Sequence, residues 1–339
     1  TTSMIMHVLR YHQVDFDYMV GAQLEGFERM VRLSDAPLMV IEGDEYLSSP
    51  IDDRPKFLHY RPHLAVITGI AWDHINVFPT FEGYLKQFEH FAESMEPNGR
   101  LFYYQHDPHL QNLATGKTQT LKWEAYDAFE YRVEQHQTYI RDHHGQALPL
   151  KIFGAHNLQN LKAAHLICRQ IGLSNEQFFS AIRDFRGAAK RLQLLVETNS
   201  AIAYQDFAHA PSKVKATIEA LKAQYPDRRL LAALELHTFS SLNRHFLKEY
   251  ASSMQAADQA LVFFSEHTLR MKKLPMINTA DIQTHFAHPN LKVIINDNQL
   301  LVEHLQQEQW LDQNLLLMSS GTFGGLDLLH LAKTCLTPN

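Results

Sequence analysis

Five short apolar runs in the second half of the chain, AIAYQDF, LLAALEL, ALVFF, KVIIN and LLLMSS, constrain the fold more than any other feature. They are nearly continuous rather than alternating, and the gaps between them leave room for helices. A continuous apolar strand is buried on both faces, as in parallel sheets covered by helices. Helices are expected from Pro211 to Gln224, near Asn243 to Met254, up to Trp310, and after Gly325. This alternation predicts an α/β domain built on a mostly parallel sheet.

The first half is less uniform. It opens TTSMIMHVLR, where Met4, Ile5, Val8 and Leu9 fall at helical spacing behind a first turn of Thr1 to Ser3. Ala36 to Glu42 and Leu64 to Ile70 read as buried parallel strands, and Phe81 to Met95 as an amphipathic helix. From Arg100 to Phe153 the segments RLFYYQ, TLKWEAY, YRVEQHQTYI and ALPLKIF alternate, which reads as an antiparallel sheet. A helix from His156 to Gln170 is stopped at Gly172, and Ser174 with Gln177 forms a capping box for a helix through Phe185. The pattern restarts near Gly187, so two domains are expected, 1–187 and 188–339.

Charge and cysteine content narrow the functional classes. With 31 basic and 37 acidic residues the formal charge is −6, which argues against nucleic acid or an anionic membrane as the main partner. The two cysteines, Cys168 and Cys335, supply neither a disulfide framework nor a paired-cysteine metal site, as suits a reducing cytoplasm. No apolar run reaches the roughly 18 residues of a membrane span.

Chemistry collects where strands end. IEGDEY places Glu42, Asp44 and Glu45 beyond one strand, and TGIAWDH places Asp73 and His74 beyond the next. Ligands of open α/β sheets sit outside the carboxyl ends of the strands, and hard oxygen donors there suit Mg²⁺. A solvated acidic loop and a capping histidine are the alternatives. ATGKTQ carries Gly116, Lys117 and Thr118, but Gln111 stands where a phosphate loop needs glycine, so the stretch reads as a surface turn. His143 and His144 fall in a hairpin turn, and adjacent strand residues face opposite ways, so they do not make a metal site.

Taken in order, these motifs resemble those of the Mur ligases. IEGDEY is similar to that family's acidic metal motif, and TGIAWDH to its N-I-x-x-D-H motif, with Gly69 at the asparagine. GAHNLQN matches G-x-H-N-x-x-N, FRGAAKRLQ matches F-x-G-x-x-R-R-x-E with Lys190 and Gln193 as departures, and QDFAHAPSK resembles D-D-F/Y-x-H-H-P-T with Ala210 at the second histidine.

The resemblance implies a central ATPase domain, a parallel sheet with helices plus a small antiparallel sheet, followed by a Rossmann-like α/β domain. It also implies ATP-dependent amide ligation through an acyl phosphate, with ATP and Mg²⁺ as cofactors. The partners it implies are UDP-N-acetylmuramate and an amino acid or peptide, with no obligate protein partner. Thr1 and Thr2 resemble the tail of the phosphate loop, whose lysine and glycines, with the domain that holds the uridine diphosphate sugar, are expected upstream of this chain. By the same resemblance Glu42 and His74 hold the metal with support from Asp73, Asn157 and Asn160 meet adenine, and Arg191 contacts phosphate. Asp206 and His209 border the nucleotide or the incoming amine. His237, Thr238, Ser240, Ser319, Ser320 and Thr322 are placed to read the amine substrate, although serine and threonine there also serve as helix caps. Lys86 is left unassigned as a carbamylated lysine because its register is shifted. The stretch Glu45 to Pro62, with ELHTFSSLN and MSSGTFGG, is most similar to the branch that attaches L-alanyl-γ-D-glutamyl-meso-diaminopimelate to UDP-N-acetylmuramate. The L-alanine-adding branch is one alternative, and a catalytically inactive fragment or binding module is the other.

Overall fold

The computed structural model describes residues 1–21, 26–116 and 121–337. It divides into two compact units, Thr1–Ala189 and Lys190–Asn339. Among the described residues no helix is long and apolar enough to cross a membrane.

In the first unit α1 (Thr2–Tyr11) leads into β1 (Asp17–Met19), β2 (Val31–Arg32) and β3 (Met39–Ile41). The hairpin β4 (Leu47–Ser49) and β5 (Asp52–Pro55) precedes β6 (Leu64–Ile67), α2 (Phe81–Ser94), β7 (Arg100–Tyr104), α3 (Pro108–Gly116) and β8 (Lys122–Tyr126). Strands β9 (Tyr131–Glu134), β10 (Gln137–Arg141) and β11 (Ala147–Leu150) are followed by α4 (Ala155–Gln170) and α5 (Asn175–Ile182).

Strands β6, β7 and β8 form a parallel sheet. Adjacent side chains of β7 point to opposite faces: Leu101 packs with Tyr84 and Ala92 of α2, whereas Phe102 packs with Ala163 of α4. A second core gathers Met4, Ile5, Val8 and Leu9 of α1 with Leu158 and Leu161 of α4 and Phe178 of α5. The capping box of α5 is present in full, with the Ser174 hydroxyl accepting from Gln177 N–H and the Gln177 side chain accepting from Ser174 N–H. Gly172, at φ +97°, ends α4 in the left-handed conformation that glycine adopts without strain.

Several sequence expectations need correction. RLFYYQ and TLKWEAY are parallel strands, because α3 lies between them and supplies the crossover; of the stretch from Arg100 to Phe153, β9, β10 and β11 form the antiparallel part. Asp107 caps α3 by accepting from His109 N–H at 2.8 Å and Leu110 N–H at 3.1 Å. The apolar run from Ala36 shortens to β3, which among the described residues pairs with β1 alone and leaves Met39 40% exposed, so it is not doubly covered. Leu64 to Ile70 ends as a strand at Ile67, and Ile70 N–H turns to the Asp107 carboxylate at 2.7 Å. His143 and His144 occupy the turn between β10 and β11 with ring centroids 3.9 Å apart; in a turn the alternation of a strand does not apply. Gly116 ends α3, while Lys117 and Thr118 lie outside the described residues.

The second unit holds one six-stranded sheet, order β12 (Gln193–Glu197), β13 (Ile202–Asp206), β17 (Gln313–Met318), β14 (Arg229–Leu236), β15 (Gln259–Phe264), β16 (Leu291–Ile295). All pairings are parallel except that of β12 with β13. Helix α6 (Pro211–Gln224) packs on β14, and Pro211 fits the first helical turn, where its missing N–H costs nothing. The short helices α7 (Glu266–Met271) and α8 (Thr279–Phe286) link β15 to β16. Helices α9 (Asn298–Gln307) and α10 (Leu328–Leu336) cover one face, where Leu301, Leu331 and Cys335 meet Ala203, Leu231, Leu261 and Leu315. The helix expected near Asn243 to Met254 is instead a series of turns around a four-residue 3₁₀ segment, Leu247–Tyr250. Helix α8 was not anticipated, although its capping box, Asn278 with Asp281, is written in the sequence.

Inside the first unit, His165 is held between Asn175 Oδ1, 2.9 Å from its Nε2, and the rings of Phe129, Phe178 and Phe179. Burial pushes its pKa down to about 4, opposed by the Asn175 bond and reinforced by the charges of Lys162, Arg169 and His143. The unfolded imidazole takes up its proton near the ordinary value of 6.5, so between that pH and about 4 the unfolded chain binds more protons. Stability of the first unit is therefore expected to fall as pH drops through this window. Urea midpoints measured across it should slope by up to one proton, and His165→Gln should flatten the slope.

Candidate functional site

At the start of the first unit the Thr1 hydroxyl donates to Asn160 Oδ1 at 2.9 Å, joining the first turn of α1 to α4 across 159 positions. Thr1 gives α1 no side-chain cap; its hydroxyl is used on α4 instead. Asn157 sits one turn before Asn160 and donates its amide to Phe153 O at 2.9 Å. Thr2 is the first residue of α1. Three positions that the motif resemblance attaches to the nucleotide, Thr1, Thr2 and Asn160, are thus neighbours.

Of the acidic run, Glu42 is exposed and accepts Gly21 N–H at 2.7 Å. The carboxylate beside His74 is Glu45, 3.4 Å from Nε2, and it also accepts the Tyr84 hydroxyl at 3.1 Å. Burial, with the nearby Glu45 charge, pushes the Tyr84 hydroxyl far above its ordinary pKa, so it stays a donor. Asp73, 4% exposed, accepts His74 N–H at 2.8 Å, and the Tyr46 ring stands edge-on to the imidazole. His74 has φ +55°, so the peptide is turned sharply at this point. Among the described residues no three His, Cys, Asp or Glu side chains gather as a metal cage. An exposed carboxylate such as Glu42 is nevertheless the donor type that Mg²⁺ accepts alongside water and phosphate oxygens. Lys86 is engaged with Glu82 at 3.6 Å on the surface of α2.

In the second unit the carboxyl ends of β13, β17 and β14 are adjacent, with Asp206 and Leu234 both level with Met318. Helix α6 leaves β13 toward one face and α10 leaves β17 toward the other, the arrangement that opens a ligand crevice. Asp206 is 7% exposed and accepts Leu192 N–H and Ala208 N–H, both at 2.6 Å. Burial raises its pKa against those bonds and against the Arg191 charge. It thereby pins a tight turn in which Lys190 and Leu192 have φ +56° and +43°. Arg191, exposed in that turn, lays its guanidinium over the Phe207 ring at 5.3 Å. His209 is 8% exposed, with Nδ1 2.9 Å from Phe207 O, and its carbonyl accepts the Tyr250 hydroxyl.

The other assigned residues divide by role. Thr238 and Ser241 cap one another, with Thr238 Oγ1 accepting Ser241 N–H at 3.0 Å. Ser240 is buried, and its carbonyl accepts Asn243 N–H at 3.1 Å. Thr322 Oγ1 accepts Gly325 N–H at 3.1 Å, and the Ser320 hydroxyl is enclosed. His237 and Ser319 instead converge on Glu235, which the sequence reading did not assign. Its signal was available: one carboxylate inside the apolar run LLAALEL. A cleft of about 430 Å³ beside this edge is lined by Lys190, Gln193, Gln205, Gly321, Thr322 and the start of α10.

A parallel sheet with a crevice at its carboxyl edge, preceded by another α/β unit, defines a class of ligand-handling α/β proteins. The chain belongs to the Mur ligase family: residues 25–168 match the Mur ligase middle domain and residues 190–321 the Mur ligase glutamate ligase domain. UDP-N-acetylmuramate–L-alanine ligase of Desulfitobacterium hafniense is 28% identical over 71% of this chain and 56% of its own length. UDP-N-acetylmuramate–L-alanyl-γ-D-glutamyl-meso-2,6-diaminoheptandioate ligase of Haemophilus influenzae is 26% identical over 96% of this chain and 72% of its own. The chain therefore spans 56% to 72% of the length of these two relatives. The crystal structure of a murein peptide ligase from Psychrobacter arcticus shares the fold, with TM-score 0.68 at 20% identity, covering 100% of this chain and 75% of that one.

Removing the Asp206 carboxylate leaves two buried N–H groups without an acceptor. Asp206→Ala is expected to destabilise the second unit by roughly 2–4 kcal/mol, and Asp206→Asn, which keeps one amide oxygen, by less. Urea denaturation followed by circular dichroism measures both.

Proposed function

We propose that this chain carries the nucleotide-binding and amine-binding parts of an ATP-dependent amide ligase. The activity joins the carboxylate of UDP-N-acetylmuramate to the tripeptide L-alanyl-γ-D-glutamyl-meso-diaminopimelate in the cytoplasm. The observation that carries the reading is the match of both family domains, in order, to a chain whose motif positions lie at strand and helix ends. The tripeptide is favoured by the likeness of Glu45 to Pro62, ELHTFSSLN and MSSGTFGG to that branch, and a relative of that name matches 96% of this chain at 26% identity. L-alanine is the second reading, supported by relatives of that name at 28% and 29% identity.

In this reading Glu42 and His74 would hold Mg²⁺, which when bound would offset the charge of the phosphates, with Glu45 and Asp73 fixing His74. Thr1, Thr2, Asn157 and Asn160 border ATP. Arg191 offers a planar guanidinium fork to phosphate oxygens. Asp206 acts through Arg191 by fixing the turn that carries it, and His209 lines the same strand end. His237, Ser319 and Thr322 face the amine substrate, with Thr238, Ser240 and Ser320 shaping the loops around it.

Phosphate release by the full-length protein, supplied with MgATP and UDP-N-acetylmuramate, separates the two readings. Tripeptide is expected to stimulate release at least about ten-fold more than L-alanine. The reverse order would transfer the assignment to L-alanine. Glu42→Ala should abolish release with the thermal melt unchanged, and retained turnover would remove Glu42 from the metal site.

A further inference from the structure

Within Leu230 to Leu236 the chain places one charge, Glu235, and the fold buries it to 4% exposure. A carboxylate there is costly unless its oxygens are satisfied. Oε2 accepts the Ser319 hydroxyl and the Phe323 N–H, the latter at 2.8 Å. Oε1 stands 3.8 Å from Nδ1 of His237, whose side chain is 42% exposed. The loop after β17 folds tightly over this carboxylate. Gly321 N–H reaches the Ser319 hydroxyl oxygen at 2.6 Å, and a β-carbon at Gly321 would lie 2.7 Å from Oε2 and 2.9 Å from the His237 ring. One buried group therefore ties β14 to the Ser319–Phe323 loop and faces an imidazole that opens to solvent.

We propose that Glu235 is a positioning residue for amide formation, holding His237 so that its outer ring nitrogen accepts the proton of the incoming amine. The inference rests on the ligase reading above. A carboxylate beside Nδ1 favours the tautomer protonated there and leaves the Nε2 lone pair facing outward. The amine arrives as an ammonium and gives one proton to Nε2. Its freed lone pair attacks the acyl carbon of the acyl phosphate and forms the C–N bond. The carbon–oxygen bond to phosphate breaks with its electron pair leaving on phosphate, and the second nitrogen proton follows to that oxygen. The 3.8 Å approach is longer than a hydrogen bond, as is usual for catalytic pairs before substrate tightens them.

The test separates the two halves of the reaction in the full-length protein. Acyl phosphate formed from MgATP and UDP-N-acetylmuramate without amine is trapped by borohydride reduction, and amide formation is followed by chromatography. His237→Gln is expected to lower amide formation by roughly 100-fold, at least ten-fold more than it lowers acyl-phosphate trapping. Glu235→Gln keeps an acceptor for Ser319 and Phe323, so the loop should stay in place. It should nevertheless lower kcat for amide formation about ten-fold, with KM for ATP unchanged. Wild-type amide formation in Glu235→Gln, or equal loss of both halves in His237→Gln, would overturn the proposal. If Glu235→Gln does not fold, the half-exposed His237 variant still decides. Absence of acyl phosphate in the wild-type protein would instead strike the ligase reading itself.

Discussion

The insertion of β17 between β13 and β14 governs the second unit. The last strand in sequence becomes an interior strand in space, so its backbone is paired on both sides and its side chains are closed off from water; Leu315, Leu316 and Leu317 are 0% exposed. A strand reached this late must be approached and left by helices on the face opposite α6, which is where α9 and α10 lie. The same insertion brings three strand ends level. Ser319, one residue beyond β17, donates its N–H to Asp206 O at 3.0 Å and its hydroxyl to Glu235, so the polar edge follows directly from the strand order.

The two buried carboxylates at that edge act alike. Asp206 collects N–H groups from the turn before β12 and from the segment after β13; Glu235 collects one from the loop after β17. A carboxylate accepting backbone donors fixes loops that have little apolar area of their own, at the cost of desolvating a charge. Structure and proposed chemistry therefore meet in the same atoms: the groups that hold the loops also face Arg191 and His237.

How much of this was legible depended on whether neighbours in space were also neighbours in sequence. The strands of the second unit were readable because parallel burial leaves continuous apolar runs, and α6 because Pro211 marks its first turn. In the first unit RLFYYQ and TLKWEAY misled, since half-buried Tyr103, Tyr104 and Trp123 mimic an alternating pattern. The intervening helix, PHLQNLATG, offers few strong helix formers, and its start is written mainly in Asp107. Motif positions could be named from resemblance, but not the Thr1 to Asn160 contact, the pairing of His74 with Glu45, or the closure of Gly321 over Glu235. Those depend on chain segments 159, 29 and 86 positions apart that only the fold brings together.

The acidic run IEGDEY shows why residue type alone underdetermines chemistry. Asp44 is tied to Lys56 at 2.7 Å and caps Tyr46 N–H at 2.8 Å, so it organises the hairpin that follows. Glu45 is turned toward Tyr84, whose hydroxyl it accepts at 3.1 Å, and toward His74, whose Nε2 stands 3.4 Å away. Of the three only Glu42 is exposed, and among the described residues it accepts one backbone donor, keeping the hydration and lone pairs that a hard cation needs. Three carboxylates within four positions thus serve three tasks, divided by what each meets: an ammonium, an imidazole, or water. The proposed metal role falls to Glu42 because it is the least committed of the three, and His74 joins it only through the orientation that Glu45 imposes.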